Sequence, residues 1–498
     1  MAIRLMDRTD LTFPANDGGL FYSMIRDLQA NAFRLPQYAS YNGGSIPFAY
    51  PPLGFYLAGA LDVTMPVSLE ALLAYLPLAI NLFVGLAAYS LAWELFGSRW
   101  TALASAAAWY LLPDSARFLV MGGGLTRSLG LLWAVLAIHS AHRMYARGSA
   151  RDALATAALS ALALATHLEM AWFAAWAIAS LALVKVRSWR TAALSAGAAL
   201  GALALSTPWW GTVIARHGPD VFLGTLSGSA GEWPWTYALS MLMRGGMHNE
   251  LLPVISVIGL CGAVLAVHRR QYWLPIWLLV VFLTAKRGPS PTATVPLALL
   301  AGYALVTWIA PNLARVRLAV GGLVCVSVLL IALLDHILVN APVLTPLSEG
   351  ERQVMVSLAD DIGPEARVLV LPTDDWAADR SSEWFPALSG LVSVATVQGS
   401  EWLPNGEFTR RIDAHDALLN CVYTADTTCL QEWIEGSPIP VDYIYVPQHE
   451  AIERAPYVEP GTPACTSIEA SIHREGQYRL VLSSPAAHVY AVAPFPAP

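Results

Sequence analysis

The sequence predicts a polytopic α-helical membrane protein that ends in a small α/β domain outside the membrane. Of its 498 residues, 56% are hydrophobic and only 13% are charged, whereas soluble domains have about 25% charged residues. About ten apolar runs come close to the roughly 20 residues that a helix needs to cross a bilayer. After residue 340 the charges return and short strand-like runs replace the long apolar ones.

The apolar runs define the membrane part, which we place at residues 51–340, after a first extracytoplasmic loop at 1–50. Some runs are short, and 152–185 resembles a single span. The His-Leu-Glu interruption at 167–169 instead predicts a tight hairpin there. We expect helices over 71–95, 98–113, 126–142, 152–166, 170–185, 191–208, 251–267, 272–285, 292–309 and 317–339.

The charges of the connecting loops predict the orientation. Alternate loops are basic, and basic loops stay in the cytoplasm. Residues before 50 and after 340 then lie on the extracytoplasmic side of the plasma membrane. Two interpretations of the start remain open: a first helix is absent from this sequence, which we favour, or a short N-terminal tail is translocated. The basic residues are Arg99, Arg143, Arg147, Arg151, Lys185, Arg187, Arg190, Arg269, Arg270, Arg315 and Arg317.

The C-terminal segment 341–498 alternates strand-like and helical runs, which predicts an extracytoplasmic α/β domain. Cys421 and Cys429 are close enough in sequence for a local disulfide in an oxidising compartment, although two free thiols fit equally well. We expect strands over 366–372, 391–397, 441–447, 478–483 and 488–493, with helices over 350–362 and 407–419.

Composition excludes several classes of function. The net charge is −7, and no stripe of Lys and Arg with interleaved aromatics marks a nucleic-acid surface. The sequence has no phosphate-binding loop, dinucleotide fingerprint, His-Glu-x-x-His or EF-hand loop. Acidic residues are scarce within the apolar runs, Asp335 being an exception. Coupled transporters need buried ionisable residues along their path, so this scarcity argues against transport.

Two acidic positions on the outer side are candidates for chemistry. Asp17 is followed by two glycines that allow a tight turn and close approach of a ligand. It could act as a general base or a metal ligand, or only form a turn. In "ATHLEM", His167 and Glu169 lie at the outer mouth between two helices. They could share a cation, or one could orient the other. Alternatively, they form a helix cap and an interfacial histidine.

Three basic residues lie on the predicted outer side, although Lys and Arg are usually concentrated in cytoplasmic loops. Arg127 follows three glycines in "GGGLTRSLG", and Lys286 with Arg287 lies in "TAKRGPSP". A bound phosphate would explain them, because Arg makes bidentate contacts and Lys provides a point charge. The alternative is solvent-facing charge.

Two stretches carry a family resemblance. "YPPLGFYLAGAL" (50–61) is similar to the His-Pro-Pro-Leu-Gly stretch of protein O-mannosyltransferases and aminoarabinose transferases, with Tyr50 in place of His. "AWELFGSRWTALASAAAWYLLP" (92–113) is similar to the helix-loop-helix that follows it. The chain therefore resembles the GT-C superfamily of integral-membrane glycosyltransferases over about residues 15–340.

The resemblance implies roles for particular residues. In GT-C enzymes an acidic residue of the first outer loop is the catalytic base or positions the acceptor, and Asp17 has that place. The donor is a polyprenyl-phosphate sugar, whose phosphate Arg127, Lys286 and Arg287 could hold. Many relatives have a paired acidic motif in this loop, where this chain has glycines. Metal dependence is therefore open, with Asp17, His167 and Glu169 as possible ligands of a divalent metal.

The resemblance also bears on the acceptor. The Trp-Trp-Asp-Tyr-Gly motif of oligosaccharyltransferases is absent, which argues against asparagine-linked en bloc transfer. "QGSEWLP", with Glu401 and Trp402, could shape an acceptor site instead. We expect a transferase that moves a sugar to a glycan, lipid or protein acceptor among membrane lipids, with no nucleic acid partner. The alternatives are a protein that binds or flips a lipid-linked glycan without catalysis, and a solute transporter.

Overall fold

The computed structural model describes residues 13–222, 253–285, 290–313, 315, 318–340, 344–450 and 463–493. Lys286 and Arg287 lie outside the described residues. Every apolar run identified above contains a helix. These helices are α3 (Leu69–Phe96), α4 (Arg99–Leu111), α5 (Gly124–Arg147), α6 (Ala150–Leu164), α7 (Leu168–Lys185), α8 (Trp189–His217), α9 (Val254–His268), α10 (Trp273–Thr284), α11 (Ser290–Ala304, continued by a π turn at Leu305–Ile309 to Leu313) and α12 (Leu318–Asn340).

Length and apolar composition distinguish two groups among the described helices. Five are long and apolar enough to cross a bilayer: α3, α7, α8, and the segments Pro291–Leu313 of α11 and Gly321–Asn340 of α12. The helices α9 and α10 are apolar but shorter. The predicted hairpin at 167–169 is confirmed, because α6 ends at Leu164 and α7 begins at Leu168.

Gly-Ser pairs make the tight turns of two predicted cytoplasmic loops. Gly97 and Gly148 end α3 and α5 in the left-handed region, with φ of 64° and 61°, where glycine has no Cβ penalty. The serine that follows then caps the next helix: the Ser98 Oγ accepts the Thr101 N–H at 3.2 Å. Each pair thus ends one helix and starts the next within two residues.

The first fifty residues were predicted as an extracytoplasmic loop, which stays a prediction; within it the structure has a helix at 19–30 that the sequence analysis did not predict. The helix α1 (Gly19–Ala30) begins two residues after Asp17, and its inner face is apolar. Leu20, Met24 and Leu28 repeat at helical spacing and are buried. A short ladder of β1 (Tyr38–Ala39) and β2 (Ile46–Pro47) follows, and then α2 (Leu53–Thr64).

The C-terminal segment folds as an α/β unit around one sheet of order β4-β3-β5-β7-β6. The strands β4, β3 and β5 are parallel, and β7 and β6 are antiparallel. All five strands lie where the sequence predicted them. The elements are α13 (Glu349–Ile362), β3 (Arg367–Val370), α14 (Arg380–Ser389), β4 (Val392–Ser393), α15 (Glu407–Thr424), α16 (Thr427–Gly436), β5 (Tyr443–Pro447), α17 (Thr466–Ile472), β6 (Tyr478–Ser483) and β7 (Ala487–Val492).

The structure decides between a disulfide and two free thiols at Cys421 and Cys429. Cys421 and Cys429 form a disulfide between α15 and α16, and Cys465 is a buried thiol. Cys261 and Cys325 are exposed on α9 and α12.

Residues 13–50 and the α/β unit share one hydrophobic core. Met24 and Phe48 belong to the same buried cluster as Trp384 and Val370. The Asn42 amide also makes two hydrogen bonds with the Ser393 backbone, at 2.8 and 3.1 Å. The domain boundaries at 50 and 340 therefore stay a prediction, but the α/β unit lies directly on the loop that carries Asp17.

Candidate active site

Asp17 lies in a short extended segment that two other parts of the chain fix in place. The Asn16 N–H donates to the Thr345 carbonyl at 3.1 Å, and the Gly122 N–H donates to the Ala15 carbonyl at 3.0 Å. Asn16 has φ of 51° and Gly18 has φ of 136°. The backbone thus turns sharply on both sides of Asp17 and presents its side chain towards the glycines at 122–124.

Two of the three glycines before Arg127, Gly122 and Gly123, form a cradle for Asp17. The Gly123 N–H donates to Asp17 Oδ1 at 2.8 Å. A Cβ on Gly123 would lie 2.5 Å from Asp17 Oδ2, and a Cβ on Gly122 would lie 2.0 Å from the Asp17 carbonyl. Both contacts are shorter than real Cβ contacts, so no residue with a side chain fits without displacing Asp17.

We predict that Gly123→Ala lowers the rate of the reaction that Asp17 supports, because the added methyl group must push the carboxylate away. A displacement of about 1 Å can cost on the order of 100-fold in rate. The measurement is kcat of the purified variant. The matched control is Gly97→Ala, where nothing lies near the added methyl group: it should lose stability through its strained φ but keep kcat. Equal kcat for Gly123→Ala and the parent would contradict the cradle.

The electrostatics of Asp17 favour a carboxylate poised to take a proton. Burial raises the pKa of Asp17, while the Gly123 N–H and the Arg127 guanidinium oppose that rise. Arg127 lies in the first turn of α5, where its Nη1 donates to the Phe118 carbonyl at 3.0 Å. The guanidinium also stacks 5.6 Å from the Phe118 ring centre. Arg127 is therefore held rigidly in the electrostatic field of Asp17.

Glu383 is a site residue that the sequence analysis missed. It comes from the first turn of α14, and its Oε1 accepts the Gly18 N–H at 3.0 Å. Burial and the neighbouring Asp17 charge raise the pKa of Glu383 well above its ordinary value. The next residue, Trp384, donates its indole N–H to the Asn16 carbonyl at 2.8 Å. Two consecutive residues of the α/β unit thus hold the backbone on either side of Asp17.

A second group of predicted residues forms an aromatic wall. The Tyr50 hydroxyl lies 3.2 Å from Thr126 Oγ1, next to Arg127 in sequence. Its ring contacts those of Trp402 and His167, with centroids 5.5 and 6.2 Å apart. Trp402 and His167 are buried. The structure thus brings Tyr50, His167 and Trp402 together, with Glu401 half-buried beside Trp402.

Two of the predicted metal ligands, His167 and Glu169, lie at the start of α7. His167 precedes α7, and Glu169 lies in its first turn, half-buried. Within the described residues, no three His, Cys, Asp or Glu side chains are close enough to share a metal ion. Asp17, His167 and Glu169 therefore do not form a metal site together in the described structure.

An apolar cavity of about 610 Å³ opens between helices in the membrane part. Its walls come from α4, α9, α11 and α12 and include Leu111, two residues before the 3-10 turn Pro113–Ser115. In the sequence, this turn is followed by the two glycines of the cradle, Gly122 and Gly123. Lining side chains include Ala104, Ala108, Ile255, Leu305, Val324 and Leu329.

A family model described as the 6-pyruvoyl-tetrahydropterin synthase related domain, a membrane protein, matches residues 49–302. The chain belongs to this family. The match includes Tyr50, Arg127, His167 and Glu169, whereas Asp17 and the α/β unit lie outside it. No curated protein matches this member of the family.

Solved structures show that this family member has the GT-C fold. The oligosaccharyltransferase of Archaeoglobus fulgidus, crystallised with zinc and sulfate, is 13% identical with a TM-score of 0.57, covering 99% of this chain and 72% of its own. ArnT of Cupriavidus metallidurans is 16% identical with a TM-score of 0.54, covering 100% and 97%. The arabinofuranosyltransferase AftD from Mycobacteria is 15% identical with a TM-score of 0.57, covering 99% and 39%.

These matches confirm the predicted GT-C resemblance and the polytopic fold with a C-terminal α/β domain. At such identities they establish the fold alone.

Proposed function

We propose that the protein is a membrane glycosyltransferase that moves a sugar from a polyprenyl-phosphate donor to an acceptor hydroxyl on the extracytoplasmic side. The observation that carries the proposal is the Asp17 carboxylate, which is bound by the Gly123 N–H at 2.8 Å and whose pKa the Arg127 charge lowers. Structures of the same fold support the donor class: one of AglB contains a dolichol phosphate, and one of ArnT contains undecaprenyl phosphate.

The reaction needs one base and one anion site. Asp17 takes the proton of the acceptor hydroxyl while the acceptor oxygen bonds to the anomeric carbon. The bond between that carbon and the phosphate oxygen breaks, and polyprenyl phosphate leaves with the bond electrons. Arg127 stabilises the charge that grows on the phosphate. A raised pKa of Asp17 makes its carboxylate a stronger base than an exposed aspartate.

The donor lipid fits the membrane part. Its isoprenoid chain would lie in the apolar cavity between α4, α9, α11 and α12, whose lining includes Leu111, two residues before the turn that precedes the cradle. The phosphate would then lie near Arg127. Lys286 and Arg287 lie outside the described residues and remain proposed phosphate ligands, because the sequence predicts them on the outer side of the membrane.

The acceptor would lie against the aromatic wall. Trp402 is 2% exposed, and its indole N–H has no hydrogen-bond partner among the described residues. A buried donor without a partner costs about 1–3 kcal/mol, which a ligand hydroxyl would recover. Tyr50, His167, Glu169 and Glu401 are the other proposed contacts. The Cys421–Cys429 disulfide supports an oxidising compartment, and hence a plasma-membrane protein with its α/β unit outside.

The test is an assay of the purified protein with undecaprenyl phosphate linked to mannose, glucose, arabinose or aminoarabinose. We expect release of undecaprenyl phosphate from one donor, faster when an acceptor glycan is added. Parallel reactions with EDTA and with added Mn²⁺ measure metal dependence. A preparation that binds undecaprenyl phosphate but releases none from any donor would favour the non-catalytic binding protein.

A further inference from the structure

The N-terminus of α1 has no capping side chain of its own. The first N–H groups of a helix have no partner within the helix and need one elsewhere. The cap position is Gly18, which has no side chain to accept them. Glu383 of the α/β unit provides the acceptor instead: its Oε1 takes the Gly18 N–H at 3.0 Å, and the Leu20 N–H faces the same carboxylate.

Glu383 is itself held tightly. The Tyr41 hydroxyl donates to the Glu383 carbonyl at 2.6 Å. Asp379 caps the helix that carries Glu383, accepting the Ser382 N–H at 3.1 Å. A Cβ on Gly19 would lie 2.5 Å from the Glu383 carbonyl oxygen, so α1 and α14 touch through their backbones. The acceptor for the Gly18 N–H therefore has little freedom to move.

Two residues of α14 bind the backbone on the two sides of Asp17. Trp384 binds the Asn16 carbonyl from one side, and Glu383 binds the Gly18 N–H from the other. The cradle holds the carboxylate itself through Gly123. A catalytic group is precise only when its supporting contacts are fixed, and here the support for the backbone comes from the α/β unit.

We propose that Glu383 is a positioning residue for Asp17, so that the C-terminal unit completes the active site of the membrane domain. This inference rests on the proposed function. It assigns Glu383 the role of a hydrogen-bond acceptor of fixed reach, and not that of a proton carrier. Both the length of the side chain and its acceptor oxygen then matter, while its charge does not.

Three substitutions separate these roles. Glu383→Gln keeps the length and an acceptor oxygen, and we expect kcat within about threefold of the parent. Glu383→Asp keeps the charge but is one methylene shorter, and we expect kcat to fall about tenfold or more. Glu383→Ala should do at least the same. The KM for the donor should stay within about twofold in all three, because Glu383 binds the backbone beside Asp17 and is not part of the proposed phosphate site.

Amide hydrogen exchange of the peptide covering residues 16–24 gives a readout that needs no donor. It should be faster in Glu383→Asp and Glu383→Ala than in Glu383→Gln. The matched control is Glu351→Gln, another buried carboxylate of the α/β unit, which contacts Ser381 and His449 instead. It should change thermal stability but neither kcat nor exchange at 16–24.

Each outcome either supports or overturns the positioning role of Glu383. An inactive Glu383→Gln with an active Glu383→Asp would overturn positioning in favour of a charge or proton role. If every variant that folds has the same kcat as the parent, Glu383 has only a structural role. If Glu383→Ala does not fold, the Gln and Asp variants still decide. Failure of the proposed function is distinguishable, because the parent itself would then transfer no sugar.

Discussion

Replacing Asp17 with asparagine should lower sugar transfer about 10²–10⁴-fold, the range that general-base catalysis typically contributes. Asparagine keeps an acceptor oxygen for the Gly123 N–H at the position of Asp17 Oδ1, so the cradle and the fold should survive. It cannot take the acceptor proton. The measurement is kcat with the donor that supports turnover, together with the dissociation constant for undecaprenyl phosphate, which should change little.

The control for this variant is Asp27→Asn, the next acidic residue of the same loop. The Asp27 carboxylate accepts the Ser40 N–H at 2.8 Å and lies at the far end of α1. Its replacement should leave kcat within about twofold. Full activity in Asp17→Asn would remove Asp17 as the base, whatever Asp27→Asn shows.

The helices and strands could be predicted because their signals are local. Runs of apolar residues and strand-like periods each fall within about 25 residues, and the structure places a helix or strand at every one. The helix α1 was missed although Leu20, Met24 and Leu28 repeat at helical spacing. Its polar flanks and the glycines before it made the segment resemble a loop.

The site was harder to predict because its contacts are distant in sequence. Gly18 and Glu383 are 365 residues apart, and no periodicity reveals such a pair. The glycines at 122–124 were noted only as the lead-in to a phosphate ligand, whereas two of them approach Asp17 too closely for a Cβ. Glu169 was paired with His167 by spacing; His167 precedes α7 and Glu169 lies in its first turn, and their pairing stays a prediction.

Replacing Arg127 with alanine should weaken donor binding about 10–100-fold. A hydrogen bond to a charged group contributes about 1.5–3 kcal/mol, and a tenfold change in affinity corresponds to about 1.4 kcal/mol. The measurement is the dissociation constant for undecaprenyl phosphate alone. The control is Arg26→Ala, whose half-exposed cation pairs with Asp62 at 3.5 Å and also contacts Gln29 Oε1 and the Tyr22 ring. Exposed pairs contribute little, so donor affinity should not change.

Arg127→Ala also tests the electrostatic interaction between Arg127 and Asp17. Arg127 lowers the pKa of Asp17, against the rise caused by burial. Asp17 acts as a base only when deprotonated, so activity falls as the pH drops through its pKa. Removing Arg127 should therefore move the acid limb of the kcat profile to higher pH, whereas Arg26→Ala should not move it. Weaker donor binding without a moved limb would place Arg127 at the phosphate alone. A moved limb with unchanged affinity would make it a partner of Asp17 that does not touch the donor.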